Sequence, residues 1–190
     1  MKQNKKVGED AKAQKRKQIM IAAMEMFAQK GYHTCTISDI TKRAGIAKGL
    51  VYNYFDSKED LMLKIVTEGF ALLIGGLDAN HDGIVTKEEF KNFVDLLFKK
   101  VESNKHYWML YYSILLQPDI DKKKIFKMVE EIYQPVFQMV VNYYQSQNKK
   151  NPVAEVVLWQ SLLDGIVLNY LYNENYPLDE IKQVVYQKFI

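Results

Sequence analysis

The 190-residue chain predicts an all-α fold of about nine helices. Three observations predict it. Glycine (9) and proline (4) are scarce, apolar residues recur at helical spacing in segment after segment, and no run alternates as a strand would. Apolar residues make up 48% and charged residues 26%, which suits a packed core rather than a disordered chain. No apolar run reaches the roughly 20 residues of a membrane span, and none is flanked like a signal peptide. Cys35 is the only cysteine, so an internal disulfide framework is excluded and a cytoplasmic protein is expected.

The elements follow in chain order. "MKQNKKVGEDAKAQKRK" is polar and basic, and its start is expected to be unstructured. From Ala13 an amphipathic helix begins, with Ile19, Ala22, Ala23, Met26 and Phe27 on one face and Gly31 as its left-handed end. "TISDITKRAG" is a short second helix with Thr36 as cap, Asp39 three residues on, and Ile37, Ile40 and Ala44 facing inward. "KGLVYNYF" is a third short helix in which Val51 and Phe55 point inward. Ala44 and Gly45 are small enough to let these two helices cross closely. Ser57 opens a longer fourth helix that ends near Gly75–Gly76, and "TKEEFKNFVDLLFKKV" is the fifth. "YWMLYYSILL" stops at Pro118, and the long helix after it contains Pro135, where a kink is expected. "VAEVVLWQSLLDGIVLNYLYN" is apolar on most faces and expects burial, in part between subunits; "PLDEIKQVVYQKF" is the last amphipathic helix.

Charge is uneven. Residues 1–60 hold 12 Lys/Arg against 7 Asp/Glu, whereas 61–190 hold 14 against 16. A basic front on a mildly acidic body points to a polyanionic partner for the front. Two short helices joined by an Ala-Gly-Ile-Ala turn and packed on a first helix make a helix-turn-helix, whose last helix fits the major groove of duplex DNA.

The run "TISDITKRAGIAKGLVYNYFDSKEDL", residues 36–61, resembles the DNA-binding signature of the TetR family of transcriptional regulators, and the likeness covers residues 15–70. It implies a domain 1–60 that reads DNA with a basic N-terminal arm, and a domain 61–190 that binds a small effector and dimerises. It also implies roles. Lys48 would reach a base edge or phosphate, with Gly49 admitting the DNA backbone. Tyr52 and Tyr54 would meet phosphates through their hydroxyls. Lys58 would meet a phosphate at the positive end of the fourth helix, Thr36 would meet one at the second helix, and Ser38 would reach a base. Ala47 departs from the pattern, standing where the family usually has a capping Ser or Thr.

In the body, Tyr107, Trp108, Tyr111 and Tyr112 form an aromatic stripe that can line an effector pocket or simply fill the core. Trp159, Leu162, Gly165, Ile166 and Val185 are candidates for a homodimer interface. No catalytic set stands out: His33, His81 and His106 lack metal-ligand spacing, and Cys35 lacks a paired base.

One stretch belongs to another vocabulary. "DANHDGIVTKEE", residues 78–89, fills every position of an EF-hand calcium loop. Asp78, Asn80 and Asp82 supply short oxygen donors, Gly83 the sharp turn, Ile84 a carbonyl, Thr86 a ninth-position ligand and Glu89 the bidentate carboxylate. Apolar flanks at helical spacing extend the resemblance over 69–97. Thr86 and Glu89 equally form a capping box, and Asp/Asn/Gly clusters end helices without any metal. The expectation is a TetR-like regulator, most simply a repressor freed from a palindromic DNA operator by a small molecule, with calcium as a structural or regulatory ion. The alternative is a calcium-dependent sensor or adaptor that binds protein partners.

Overall fold

The computed structural model describes residues 2–118 and 120–189, with side chains from Gly8 onward. Among them are nine helices and no strand: α1 Lys2–Lys30, α2 Ile37–Ala44, α3 Lys48–Val51, α4 Lys58–Ile74, α5 Lys87–Ser103, α6 Lys105–Leu115, α7 Lys122–Ser146, α8 Pro152–Tyr172 and α9 Leu178–Phe189. The start expected to be unstructured is helical from Lys2. Its Lys, Gln, Ala and Glu are strong helix formers, and they carry α1 beyond its apolar face. α7 runs unbroken through Pro135.

The chain divides into two compact units, residues 1–68 with 110–125, and residues 69–109 with 126–190. The first unit therefore takes α4 as far as Glu68, beyond the boundary expected at residue 60. It is built on α1. Ile19, Ala23 and Phe27 are completely buried, as are Ile40 of α2 and Val51 of α3, and Phe55 is 1% exposed. Burying such side chains stabilises by roughly 1.5–3 kcal/mol each. Polar ties fix the register. Gln18 Nε2 donates to the Ala44 carbonyl at 2.7 Å. Lys30 pairs with Asp39 at 2.6 Å and Arg43 with Glu25 at 2.5 Å. Gln117 grips the end of α1 twice, donating to Phe27 O at 3.0 Å and accepting from Tyr32 N at 2.8 Å.

The second unit centres on Phe90, whose ring lies 5.2 Å from Tyr143, 6.1 Å from Tyr144 and 5.1 Å from Trp159. Trp159 in turn lies 5.5 Å from Phe189. Within this cluster Tyr144 Oη and Trp159 Nε1 are buried without a hydrogen-bond partner among the described residues. Lys100 of α5 closes the end of α4, donating to the carbonyls of Leu72 at 2.8 Å and Gly75 at 3.0 Å. A cation on the last carbonyls of a helix satisfies groups that have no partner inside it.

Candidate functional site

α2 is capped at both ends. Thr36 Oγ1 accepts from Asp39 N at 3.1 Å, and the Asp39 carboxylate accepts from Thr36 N at 2.9 Å. This is a complete capping box, stronger than the partial one expected. The Thr36 hydroxyl gives its one proton to Asp39 Oδ2 at 2.7 Å, so it has none left for a phosphate. The Lys30 ammonium and the Thr36 donors hold the Asp39 carboxyl well below the usual carboxylate range. Gly45 ends the helix at φ 66°, a left-handed conformation that strains other residues. A Cβ there would meet nothing within 4 Å, so conformation, not close crossing, explains this glycine.

α3 differs. Ala47 occupies its cap position and makes no side-chain hydrogen bond. Lys48, Gly49 and Asn53 are exposed, as is Ser38 on α2. Tyr52 is 50% exposed while Val51 beside it is fully buried, so the tyrosine faces outward. A Cβ on Gly49 would project into open space. Tyr54 is half-buried and leans on Phe55 at 6.5 Å. Ser38 of α2 and Lys48 of α3 leave their polar groups facing solvent, whereas the exposed Arg43 is paired with Glu25.

Lys58 is corrected. Its ammonium turns inward and donates to the carbonyls of Tyr32 at 2.8 Å, His33 at 3.2 Å and Cys35 at 2.8 Å. It also sits 4.6 Å from the Tyr32 ring centroid. All three ammonium protons are used in pinning the α1–α2 turn to the start of α4. Arg16, part of the basic arm, likewise turns inward, bonding Glu68 at 2.8 Å and lying over Phe55. A lone sequence shows that a cation is present, not which way it points.

The aromatic stripe is corrected in part. Trp108, Tyr111 and Tyr112 are 3%, 1% and 7% exposed and fill core. Trp108 Nε1 donates to Lys100 O and Tyr111 Oη to Val66 O, which satisfies their polar tips. Tyr107 is half-buried. A cavity of about 440 Å³ opens elsewhere, lined by Gly76, Ala79, Glu89, Asn92, Asp95, Leu96 and Lys99.

On α8 the expected interface residues separate into two faces. Trp159 and Ile166 are buried within their own chain, as is Val185 of α9, and are corrected to core. Leu162 and Gly165 are half-exposed. They share α8 with Val157, Leu158 and Tyr172, three large apolar side chains that are at least half exposed. Outward apolar groups among inward ones gave α8 its all-round hydrophobic sequence.

In the loop 78–89 the donors bind the backbone around them. Asp78 accepts from Asp82 N at 3.1 Å and Gly83 N at 3.0 Å, Asn80 Oδ1 from Asp82 N at 3.2 Å, and Asp82 Oδ1 from Ile84 N at 2.8 Å. Glu89 accepts from Thr86 N at 3.0 Å and Thr86 Oγ1 at 2.8 Å, completing the capping box of α5. Among the described residues no three His, Cys, Asp or Glu side chains gather closely enough to hold a metal ion. In this conformation the loop is a helix start and a chain of Asx turns, and the expected calcium cage is not assembled.

Residues 19–65 match the family model described as "Bacterial regulatory proteins, tetR family". The uncharacterized HTH-type transcriptional regulator YvdT of Bacillus subtilis is 35% identical over 146 residues, covering 74% of this chain and 71% of its own. The chain belongs to the TetR family of transcriptional regulators. It is also similar to IcaR of Staphylococcus epidermidis, a negative regulator of the biofilm operon icaADBC, at 29% identity over 127 residues, 66% of this chain and 67% of that one. Its fold matches the crystal structure of FadR from Bacillus subtilis in complex with stearoyl-CoA, with a TM-score of 0.69, 22% identity, and coverage of 91% and 98% of the two chains. Another relative, the fatty acid metabolism regulator of Bacillus subtilis, is matched over 37% of its length. These relatives regulate transcription and are not enzymes. Among the described residues no helix of this TetR-family regulator is long and apolar enough to cross a membrane.

Proposed function

We propose that the regulator is a homodimeric repressor that binds a palindromic DNA operator and is released by a small-molecule effector. The observation that carries the operator reading is the outward set Ser38, Lys48, Gly49 and Tyr52, exposed on α2 and on α3 with the turn after it. Side chains there are free to spend their donors on phosphates and base edges. The dimer reading rests on the outer face of α8 with exposed Val184 of α9. A Cβ at Gly165 meets nothing inside the chain, so a glycine there suits the close approach of a second copy. Repression follows IcaR, and an effector follows the stearoyl-CoA bound by FadR.

A gel shift with the promoter DNA of the protein's own gene tests the reading. Lys48→Ala and Tyr52→Phe should each weaken binding by about tenfold while leaving the melting temperature unchanged. Wild-type affinity in both variants would remove these residues from the interface.

Calcium enters as a structural or regulatory ion of 78–89. What supports it is the order of oxygen donors Asp78, Asn80 and Asp82 ahead of Gly83, which takes the sharp turn at φ 77°. Glu89 would have to leave Thr86 to complete the ligand set. Titration calorimetry with calcium on the wild type and on Glu89→Gln decides it. No heat from the wild type at millimolar calcium would leave the loop a purely structural turn. Calcium binding without operator binding would instead favour a calcium sensor or adaptor.

A further inference from the structure

We propose that Lys122 and Lys123, at the start of α7, contact the DNA backbone beyond the base pairs read by α3. The proposal rests on the operator reading above and adds to it a contact from outside the helix-turn-helix.

The first unit is not contiguous in sequence: residues 110–125 return to it from the body. Two ties fasten the returning segment. At its near end Gln117 grips Phe27 O and Tyr32 N. At its far end Lys124 Nζ pairs with Glu59 at 2.5 Å, beside Lys58 at the start of α4. Lys58 in turn holds the carbonyls of Tyr32, His33 and Cys35, directly ahead of α2. The segment is therefore tied to the α1–α2 turn and to the start of α4. Both ties lie within the unit that exposes Ser38 and Lys48, so its lysines are carried with the reading helices.

Lys122 and Lys123 sit between these ties. Both are exposed, and among the described residues the ion pair of the run 122–124 belongs to Lys124. Two neighbouring acids are already committed. Asp121 caps α7, accepting from Lys124 N at 3.1 Å, and Glu59 is neutralised by Lys124. The two lysines do not serve α7 itself. They stand in its first turn, which holds no acidic residue, and the positive end of a helix disfavours cations. Two outward ammonium groups placed against the helix's own preference suit an anionic partner. Duplex DNA carries one negative charge per roughly 1.7 Å of axis, and attraction to it reaches about 8–10 Å at moderate salt. An acidic protein surface has the same sign, but continuity with the reading unit favours DNA. Such a contact adds affinity and register, not base preference.

The test uses the full-length protein and the promoter DNA of its own gene, as a long duplex and as duplexes shortened stepwise from both ends, in gel shifts over a range of salt. Lys122→Gln with Lys123→Gln should bind the long duplex about tenfold more weakly at low salt, with a salt slope smaller by about 1.8, or 0.9 for each phosphate lost. The deficit should vanish on the shortest duplex that the wild type still binds. Lys122→Arg with Lys123→Arg should restore affinity, since charge is what the backbone reads. The melting temperature of the glutamine variant should hold or rise, because two cations leave the positive end of α7. Lys48→Ala, at the centre of the operator contact, should weaken binding on every duplex alike, so failure of the operator reading and failure of the flanking contact give different patterns. Wild-type affinity and slope in the glutamine variant would overturn the flanking contact and leave the operator reading standing. A deficit that comes with a lowered melting temperature, or persists undiminished on the shortest duplex, would overturn it equally. A wild type that binds none of the duplexes would remove both.

Discussion

Replacing Lys58 with methionine separates two roles that a sequence cannot tell apart. Methionine keeps the aliphatic stem and removes the ammonium. Three carbonyls then go without their donor: Tyr32 at 2.8 Å, His33 at 3.2 Å and Cys35 at 2.8 Å. Hydrogen bonds involving a charged group contribute about 1.5–3 kcal/mol each in favourable cases. Here the lysine is half-buried and the carbonyls can recover water, so a total near 2–3 kcal/mol is the reasonable scale. For a chain of this size that is a fall of roughly 5–10 °C in melting temperature. The assay is a thermal melt by circular dichroism, paired with operator affinity measured from about 50 to 200 mM salt, well below the melt. A clamp predicts the lower melting temperature with an unchanged salt slope. A phosphate-binding lysine predicts an unchanged melt and a salt slope smaller by about 0.9 for each phosphate no longer neutralised. An unmoved melting temperature together with the reduced slope would refute the assignment of Lys58 to the interior.

Tyr144→Phe removes a buried hydroxyl that has no partner among the described residues, so the melting temperature should hold or rise by roughly 2–4 °C, equivalent to about 1 kcal/mol. A clear fall would mean that a hidden water satisfies it. Val157→Glu with Leu158→Glu places charge on the outer face of α8 and should convert dimer to monomer in sedimentation; an intact dimer would move the interface elsewhere. Asp39 titrates in the folded protein well below its unfolded value. Its stabilising effect is therefore complete above about pH 4 and lost as pH falls below it, so the acid limb of a pH–melt series should flatten in Asp39→Asn. An acid limb of unchanged steepness would count against the Lys30–Asp39–Thr36 cluster.

Much of the fold was legible because helix signals are local. Ile19, Ala22, Ala23, Met26 and Phe27 announce a buried face by spacing alone, and all five are buried. The cap at Thr36 was equally readable, since capping needs only neighbours, while the missing one at Ala47 was marked by departure from the family pattern. Direction over longer range was not readable. Lys58 reaches carbonyls some 25 residues away, Gln117 reaches the end of α1 from 90 residues away, and neither partner leaves a mark in sequence spacing. The same limit explains α8. Trp159 and Leu158 are adjacent and both apolar, yet one is 4% and the other 56% exposed.

The contrast between the two short helices has a consequence for hydrogen exchange. α2 is closed at one end by a side-chain box and at the other by a left-handed glycine, whereas α3 spans four residues and no side chain accepts from its first turn. Its leading amides therefore remain available in the free protein, exchanging with solvent far faster than those of α2. Operator DNA lying over α3 would shield those amides from solvent. Protection at Lys48 and Gly49 would then rise on operator binding while α2 stayed constant. The reading helix would carry its own internal reference, two signals a few residues apart that distinguish engaged DNA from a general stiffening of the protein.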